Sequence, residues 1–195
     1  MRQINWDDLE SLYKDSKLKA ELTGGKKIAL TIGVFDGLHR GHQALITKIT
    51  QKAPEFLPVV ITFRNNPKQT EDIISFEEKM ALLDGFGIAL AVIIDFSQYF
   101  SKIKGRVFLE TLNKYLCPAY IGLGVNFHCG YNRDTDAETF KALALGLGIE
   151  AEIIPPVMEG GLPVSSSRIR AALKKGKTEE AALLLGHTNL FSKLC

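Results

Sequence analysis

Continuous apolar runs alternate along the chain with amphipathic stretches. The runs are rich in β-branched residues, which is typical of strands that a parallel sheet buries on both faces. They predict strands at about 28–35, 58–63, 90–95, 119–125 and 151–157. The stretches between them predict helices at about 41–53, 76–85, 106–115 and 135–147. This alternation predicts a doubly wound α/β fold, with a mostly parallel five-stranded sheet and helices on both faces.

The two ends of the chain extend this pattern. The opening segment carries apolar side chains at near-helical spacing, at Trp6, Leu9, Leu12 and Tyr13. It is predicted to form a short amphipathic helix that lies on the domain. Two further short helices are predicted at about 167–175 and 178–185. We expect one domain over residues 1–186 and a C-terminal tail over 187–195, in which His187 has no assigned role.

Composition and charge exclude several classes of protein. The chain of 195 residues is 46% hydrophobic and 24% charged, which matches a folded globular protein. A net charge of +2 is too small to indicate nucleic acid or an anionic membrane surface as a partner. The start, MRQINWDDLE, lacks the regions of a signal peptide, and no apolar run reaches the roughly 18 residues of a membrane helix, so a cytoplasmic protein is expected. Cys117, Cys129 and Cys195 show no paired spacing, so we expect reduced thiols rather than disulfides or a zinc site.

The segment TIGVFDGLHRGHQALI, residues 31–46, places glycines and two histidines where a strand gives way to a helix. In an open parallel sheet, ligands bind beyond the carboxyl ends of the strands. The predicted first strand ends at 33–35, so residues 36–41 would lie beside such a ligand. Glycines let the backbone approach an anion closely, and the N–H groups at a helix start attract it. His39 and His42 would then face the same anion.

Other interpretations of this segment stay open. A catalytic zinc needs three protein ligands and a structural zinc four, and no nearby cysteine or carboxylate supplies an obvious third. Ordinary packing explains a bare HxxH, but it does not account for the glycines, the strand before and the helix after. Asp36 is compatible with metal binding or with capping of the turn, and capping is favoured. The GKT at 176–178 is not a phosphate-binding P-loop, because position 171 is Ala171 and helical residues precede it.

A second motif, VSSSRIRAALKKG at residues 164–176, clusters hydroxyl groups and arginines immediately before a helix. A serine cap followed by exposed arginines would explain it without any ligand. Hydroxyl and N–H groups at a helix start, together with Arg168 and Arg170, are also suited to a polyphosphate, since arginine binds phosphate with two parallel hydrogen bonds. Each motif makes the anion-binding interpretation of the other more credible.

Together the motifs resemble those of the nucleotidyltransferases that carry HxGH near the N-terminus and ISSTxxR near the C-terminus. HRGH at 39–42 matches the first, and VSSSRIR at 164–170 matches the second with conservative changes. Within that superfamily, GVFDGLHRGHQALI is similar to the GxFDGxHxGHQ of the adenylyltransferase (FMN adenylyltransferase) module of bacterial FAD synthetases. The resemblance extends through TFRNNP at 62–67, DFSQYFSKIKGRVFLETL at 95–112, GVNFHCGYNRD at 124–134 and the closing AALLLGH. It implies a Rossmann-like nucleotidyltransferase fold.

Two segments depart from the family form. The family often reads TFxPHP where this chain has TFRNNP, and GxDFRFG or GxNFxFG where it has GVNFHCG at 124–130. In the family, both segments help to form the flavin and ATP pockets. The typical bacterial synthetase continues into a riboflavin kinase domain, which is not expected within these residues. A separate riboflavin kinase is therefore a possible partner in the pathway.

The resemblance implies that AMP is transferred from ATP to FMN, giving FAD and pyrophosphate, with Mg²⁺ arriving bound to ATP. It assigns catalysis to His39, His42 and Arg170, with imidazoles that phosphate keeps protonated, and it implies no metal held by the protein. The implied ATP-binding residues are Gly33, Phe35, Asp36, Gly41, Gly124, Asn126, Ser165, Ser166, Ser167 and Arg168. Weaker candidates for the FMN side are Phe63, Asn66 and Arg133.

Two alternative functions are compatible with the same residues. One is a related nucleotidyltransferase with another phosphomonoester acceptor, using ATP or CTP, which a screen for pyrophosphate release would separate. The other is a non-catalytic flavin- or nucleotide-binding protein, for which the altered TFRNNP and GVNFHCG segments argue. The intact HRGH and both arginines argue against it, because binding alone does not need transition-state donors.

Overall fold

The computed structural model describes residues 1–67 and 70–187, and its centre is a parallel sheet of six strands. These strands are β1 (Arg2–Asn5), β2 (Lys27–Ile32), β3 (Phe56–Phe63), β4 (Leu90–Ile94), β5 (Pro118–Gly124) and β8 (Glu150–Ile154). Two short antiparallel hairpins accompany the sheet, made by β6 (His128–Cys129) with β7 (Thr135–Asp136) and by β9 (Met158–Glu159) with β10 (Leu162–Pro163). The doubly wound α/β prediction is confirmed.

The sheet has one strand more than predicted. β1 lies at the edge and pairs in parallel with β4, from Arg2 opposite Leu90 to Asn5 opposite Ile93. Its four residues are mostly exposed and carry no apolar run, so nothing in the pattern indicates a strand there. The predicted opening helix follows as a short turn at Trp6–Asp8 and α1 (Leu9–Lys14), and α2 (Ser16–Thr23) comes after it. Leu9 is buried, and the Trp6 ring stacks on Phe108, 5.2 Å between centroids.

Helices cover both faces of the sheet, as predicted. They are α3 (Arg40–Thr50), α4 (Phe76–Gly85), α5 (Gly105–Leu116), α6 (Ala137–Gly146), α7 (Ser166–Lys174) and α8 (Thr178–Leu185). One apolar core joins the strands to α3, α4, α7 and α8. The other joins them to α1, α5 and α6. No helix in the described part of the chain is long and apolar enough to cross a membrane.

Local chemistry explains where predicted and observed ends differ. The first long strand stops at Ile32 rather than 35, because the backbone turns into the left-handed region at Phe35, with φ of 54°. α6 begins at Ala137 because the Asp136 carboxylate caps it, accepting the Thr139 N–H at 2.8 Å. β8 ends at Ile154 because the two prolines that follow cannot donate to the ladder.

The strand order is β1-β4-β3-β2-β5-β8, so the chain winds in opposite directions from the centre of the sheet. β2 pairs with β3 on one side and with β5 on the other. The point between β2 and β5 is therefore the topological switch, where an open α/β sheet forms a crevice at its carboxyl edge. The fold places both sequence motifs at this edge.

Candidate active site

The backbone that leaves β2 is shaped by close packing around Phe35. Its ring is fully buried. A Cβ added to Gly33 would lie 3.1 Å from that ring, inside ordinary van der Waals separation, so any larger residue would displace the ring by a few tenths of an ångström. Gly37 has φ of 77°, which favours glycine, and it continues the chain toward His39. Phe35 and Gly33 therefore act on the loop's shape, and the sequence expectation that they contact ATP stays a prediction.

His39 and His42 lie face to face at the start of α3. Their rings are stacked with centroids 3.6 Å apart, and His39 is 6% exposed. His39 is the N-cap of the helix: its Nδ1 accepts the backbone N–H of His42 at 3.3 Å. The proton of the neutral His39 ring is therefore on Nε2, which is free to donate to a ligand. His42 Nδ1 is buried and makes no hydrogen bond among the described residues.

Burial favours the neutral form of both imidazoles. It lowers the pKa of His39 to about 4. Burial also lowers the pKa of His42 well below its ordinary value, and the nearby His39 and Lys79 lower it further. The sequence-based expectation that bound phosphate keeps the rings protonated stays a prediction. His39 can nevertheless donate from Nε2 while neutral, so a phosphate contact does not require protonation.

The two sequence motifs meet at Gly41. A Cβ added there would lie 3.1 Å from His39 Cε1 and 3.2 Å from His39 Nδ1. It would also lie 3.5 Å from the backbone oxygen of Val164, the first residue of the second motif. Gly41 therefore lets the helix start, the imidazole and the second motif come together within one residue's volume.

Asp36 links the same two motifs a second time. It is buried, its Oδ1 accepts the Ile73 N–H at 2.8 Å, and its Oδ2 forms an ion pair with Arg170. Its backbone oxygen accepts the Ser166 hydroxyl at 3.0 Å. Burial raises the pKa of Asp36, although the Ile73 N–H and the Arg170 charge oppose the shift. The favoured capping role is wrong, since the carboxylate makes no cap hydrogen bond and is used by Arg170 and Ile73.

The remaining residues of the second motif have two kinds of position: the serines lie at the start of α7, and Arg168 contacts a neighbouring hairpin. Ser165 caps α7 by accepting the Arg168 N–H at 3.3 Å, and Ser167 is exposed at the helix start. Arg168 turns toward the β9–β10 hairpin, where it donates to the Glu159 oxygen at 2.7 Å and lies 3.5 Å from the Glu180 carboxylate. Arg170, not Arg168, therefore lies with Asp36 at the carboxyl edge of the sheet.

The other predicted residues lie at neighbouring strand ends. Gly124 ends β5, beside β2, and Asn126 follows as an exposed residue. Phe63 ends β3 on the opposite side of β2, and its ring lies 6.0 Å from that of Phe96. Asn66 donates to the Thr70 hydroxyl at 2.9 Å, while Arg133 is exposed. The structure thus brings His39, His42, Gly41, Asp36, Ser166 and Arg170 together. The FMN-side roles of Phe63, Asn66 and Arg133 stay predictions.

Three residues at this edge were not predicted. Lys79 on α4 is buried and donates to the Phe63 oxygen at 2.6 Å and to the Val34 oxygen at 3.3 Å. Gln43 donates to the Leu185 oxygen at 2.7 Å, and His187 Nε2 donates to the Gly37 oxygen at 2.8 Å. A usable signal existed only for Lys79, which occupies a position on the apolar stripe of its helix.

Metal binding finds no support in the described residues. They contain no group of three or more His, Cys, Asp or Glu side chains suited to a metal ion. The Asp36 carboxylate is already used by Arg170 and Ile73. Cys117 and Cys129 form no disulfide in the described part of the chain, and Cys195 and the rest of the predicted tail beyond His187 lie outside it.

Three features together define a nucleotidyltransferase fold. The parallel sheet has its switch point at β2, one helix starts at the HxGH motif, and a second helix start with serines and arginines faces that motif. The FAD synthetase family model matches residues 23–168. The chain therefore belongs to the FAD synthetase family. The match includes both histidines and the first five residues of the second motif, 164–168, and it ends before Arg170.

Individual relatives agree with the family assignment. The chain is 29% identical over 168 residues to the bifunctional riboflavin kinase/FMN adenylyltransferase of Escherichia coli K12, covering 81% of this chain and 54% of that protein. It is also 29% identical over 167 residues to an FAD synthetase of Listeria monocytogenes, covering 81% of this chain and 68% of that protein. The chain thus spans about half the length of the bifunctional relatives that it matches.

The fold is also found in a solved structure. A crystal structure from Streptococcus pneumoniae, described as that of a macrolide-efflux protein, superposes with a TM-score of 0.79 at 27% identity. The match covers 95% of this chain and 62% of the other. The shared architecture therefore includes the regions on either side of the family match.

Proposed function

We propose that the protein transfers AMP from ATP to FMN, producing FAD and pyrophosphate. The observation that carries this proposal is the junction of the two motifs, at which Gly41 packs against Val164 and Asp36 contacts both Ser166 and Arg170. A polyphosphate at this junction would meet imidazole, hydroxyl and guanidinium donors together. Family membership supports flavin as the acceptor.

The reaction joins an oxygen of the FMN phosphate to the α-phosphorus of ATP and breaks the bond from that phosphorus to the β-phosphate oxygen. The attacking phosphate is largely ionised near neutral pH, because the second pKa of a phosphate monoester is about 6. No general base is therefore needed. The protein contributes alignment and stabilisation of the charge that develops on the α-phosphate and the leaving pyrophosphate.

The paired histidines supply donors to the α-phosphate region. His39 Nε2 carries a proton in the neutral ring, as its Nδ1 accepts from His42. The first N–H groups of α3 have no partner within the helix and point the same way. Bound phosphate would raise both imidazole pKa values toward the protonated form, which strengthens the donors where charge accumulates.

Arg170 and the start of α7 would hold the pyrophosphate portion. The N–H groups of Ser166 and Ser167 and the exposed Ser167 hydroxyl would donate there, and Arg170 would add a fork of donors. Mg²⁺, arriving with ATP, would neutralise phosphate charge, and the site lacks a dedicated cluster for it among the described residues. We expect the reaction to take place in the cytoplasm, with FMN supplied by a riboflavin kinase activity.

The test is direct formation of FAD. Purified protein is incubated with ATP, MgCl₂ and FMN, and FAD and pyrophosphate are measured in equal amounts. Riboflavin is the matched control, because it lacks the attacking phosphate and should give neither product. Wild-type protein that binds ATP but yields no FAD would refute the proposal. Pyrophosphate release with CTP or with a different phosphomonoester would then identify the alternative transferase.

A further inference from the structure

A buried lysine connects the two halves of the site. Lys79 is 6% exposed, whereas lysine is almost never fully buried without an ion pair. No carboxylate of the described residues lies within salt-bridge distance of it. Its ammonium instead donates to two backbone oxygens, Phe63 at 2.6 Å and Val34 at 3.3 Å. These oxygens belong to the ends of two neighbouring strands.

The two strand ends have few other ties. The ladder between β2 and β3 ends with the Gly33 N–H donating to the Ile61 oxygen at 3.0 Å. Beyond it, in the part of the chain that the structure describes, side-chain donors join the two ends. The Thr62 hydroxyl donates to the Val34 oxygen at 3.2 Å, and Lys79 donates to both sides.

The connected segments carry different parts of the proposed reaction. Val34 precedes Phe35 and the loop that ends at His39 and His42, on the phosphate side. Phe63 belongs to the TFRNNP segment, residues 62–67, on the proposed acceptor side. A shift of either segment would change the angle between the attacking oxygen and the leaving pyrophosphate. Such misalignment of about 1 Å lowers rate roughly a hundredfold in enzymes.

We infer that Lys79 is a positioning residue that holds the acceptor end of β3 in register with the phosphate end of β2. The inference rests on the proposed function. An apolar side chain could fill the same volume without the cost of burying an ammonium. The hydrogen bonds to two strand ends are what such a replacement would lose. Lys79 therefore acts through the backbone and need not touch either substrate.

The kinetic test compares Lys79→Met with Met80→Ala in the transfer assay. Lys79→Met keeps the apolar stem and removes both hydrogen bonds, so kcat should fall roughly tenfold or more while the KM values of ATP and FMN change little. Met80→Ala trims a buried neighbour on the same helix and touches neither oxygen, so its folded fraction should keep the wild-type kcat. Lys79→Gln, which retains an N–H donor, should recover part of the loss. If Lys79→Met does not fold, Lys79→Gln takes its place in the comparison with Met80→Ala.

A second measurement does not depend on catalysis. Hydrogen–deuterium exchange is followed with and without α,β-methylene-ATP, whose α–β bridge the transfer cannot cleave. In the wild-type protein, the analogue should slow exchange in residues 33–42 and also in residues 62–67. In the lysine variants, it should slow exchange only in residues 33–42. Unchanged kcat in the variants, or slowing confined to 33–42 in wild type, would overturn the inference. If the wild-type protein makes no FAD, the proposed function is refuted, and the exchange measurement alone then decides whether Lys79 couples the two segments.

Discussion

Replacing Gly41 by alanine tests the placement of His39 without removing any catalytic group. The new Cβ would lie 3.1 Å and 3.2 Å from atoms of the His39 ring, against ordinary carbon contacts of about 3.5–4.0 Å. The ring must move by a few tenths of an ångström. It cannot tilt freely, because it is stacked on His42 at 3.6 Å and accepts a backbone hydrogen bond.

The expected result is a loss of rate without a loss of stability. A displacement of that size should lower kcat by about tenfold, given that 1 Å costs about a hundredfold. Alanine is favoured over glycine in a helix by up to about 1 kcal/mol, which offsets the crowding. Steady-state FAD formation and urea unfolding measure the two quantities.

Gly146→Ala is the matched control for Gly41→Ala. Gly146 ends α6, is exposed, and an added Cβ would meet nothing within 4 Å. This variant should keep wild-type kcat and gain a few tenths of a kcal/mol. The reasoning is refuted if Gly41→Ala keeps full turnover, or if its loss of turnover is matched by an equal loss of folded protein.

Three further predictions separate catalytic from structural roles. His42→Ala should lower kcat about a hundredfold or more, while urea titration should show a change of only about 1 kcal/mol in the free energy of unfolding. A fall in kcat that is explained by an equal fall in the fraction of folded protein would contradict a catalytic role. Burial lowers the pKa of His39 from 6.5 to about 4, so the stability that this residue contributes should fall by up to roughly 3 kcal/mol as the pH drops from 6.5 to 4. Burial lowers the pKa of His42 as well, so His39→Asn, which keeps a capping acceptor, should make the decline shallower but not abolish it in urea titrations at several pH values. Arg168→Ala should lower the free energy of unfolding by roughly 2 kcal/mol, because its contacts to the Glu159 hairpin are lost, and should retain turnover, whereas Arg170→Ala should lose turnover. The opposite pattern in paired kinetic and unfolding assays would indicate that Arg168 binds ATP.

The long elements could be predicted because their side chains report burial directly. Continuous apolar runs located the five long strands, and α4 and α8 have the predicted bounds, Phe76–Gly85 and Thr178–Leu185. The edge strand β1 has no such signal, because its residues are mostly exposed and its strand character comes from pairing with β4. The two-residue hairpin strands are likewise held by long-range pairing rather than by pattern.

The site was predictable where backbone geometry restricts residue type. Gly41 and the HRGH spacing point to an anion beside a helix start, and the structure brings the second motif against them. The direction of each side chain was not predictable. Arg168 and Arg170 lie two positions apart on one helix, so they point to different faces, and only the fold shows that one contacts the β9–β10 hairpin and the other Asp36. His187 depends on a contact across 150 positions, with Gly37.

The ionic contacts of Asp36 and Arg170 constrain how a triphosphate could bind at this site. Burial raises the pKa of Asp36, so its ionised form is costly and the charge of Arg170 partly offsets that cost. A phosphate that drew Arg170 away would leave the carboxylate buried without its cation. A guanidinium has five N–H donors, and here one goes to Asp36 and one to the Glu71 oxygen. Arg170 can therefore bind phosphate with its remaining donors while Asp36 keeps orienting it, which explains the buried carboxylate without a metal ion.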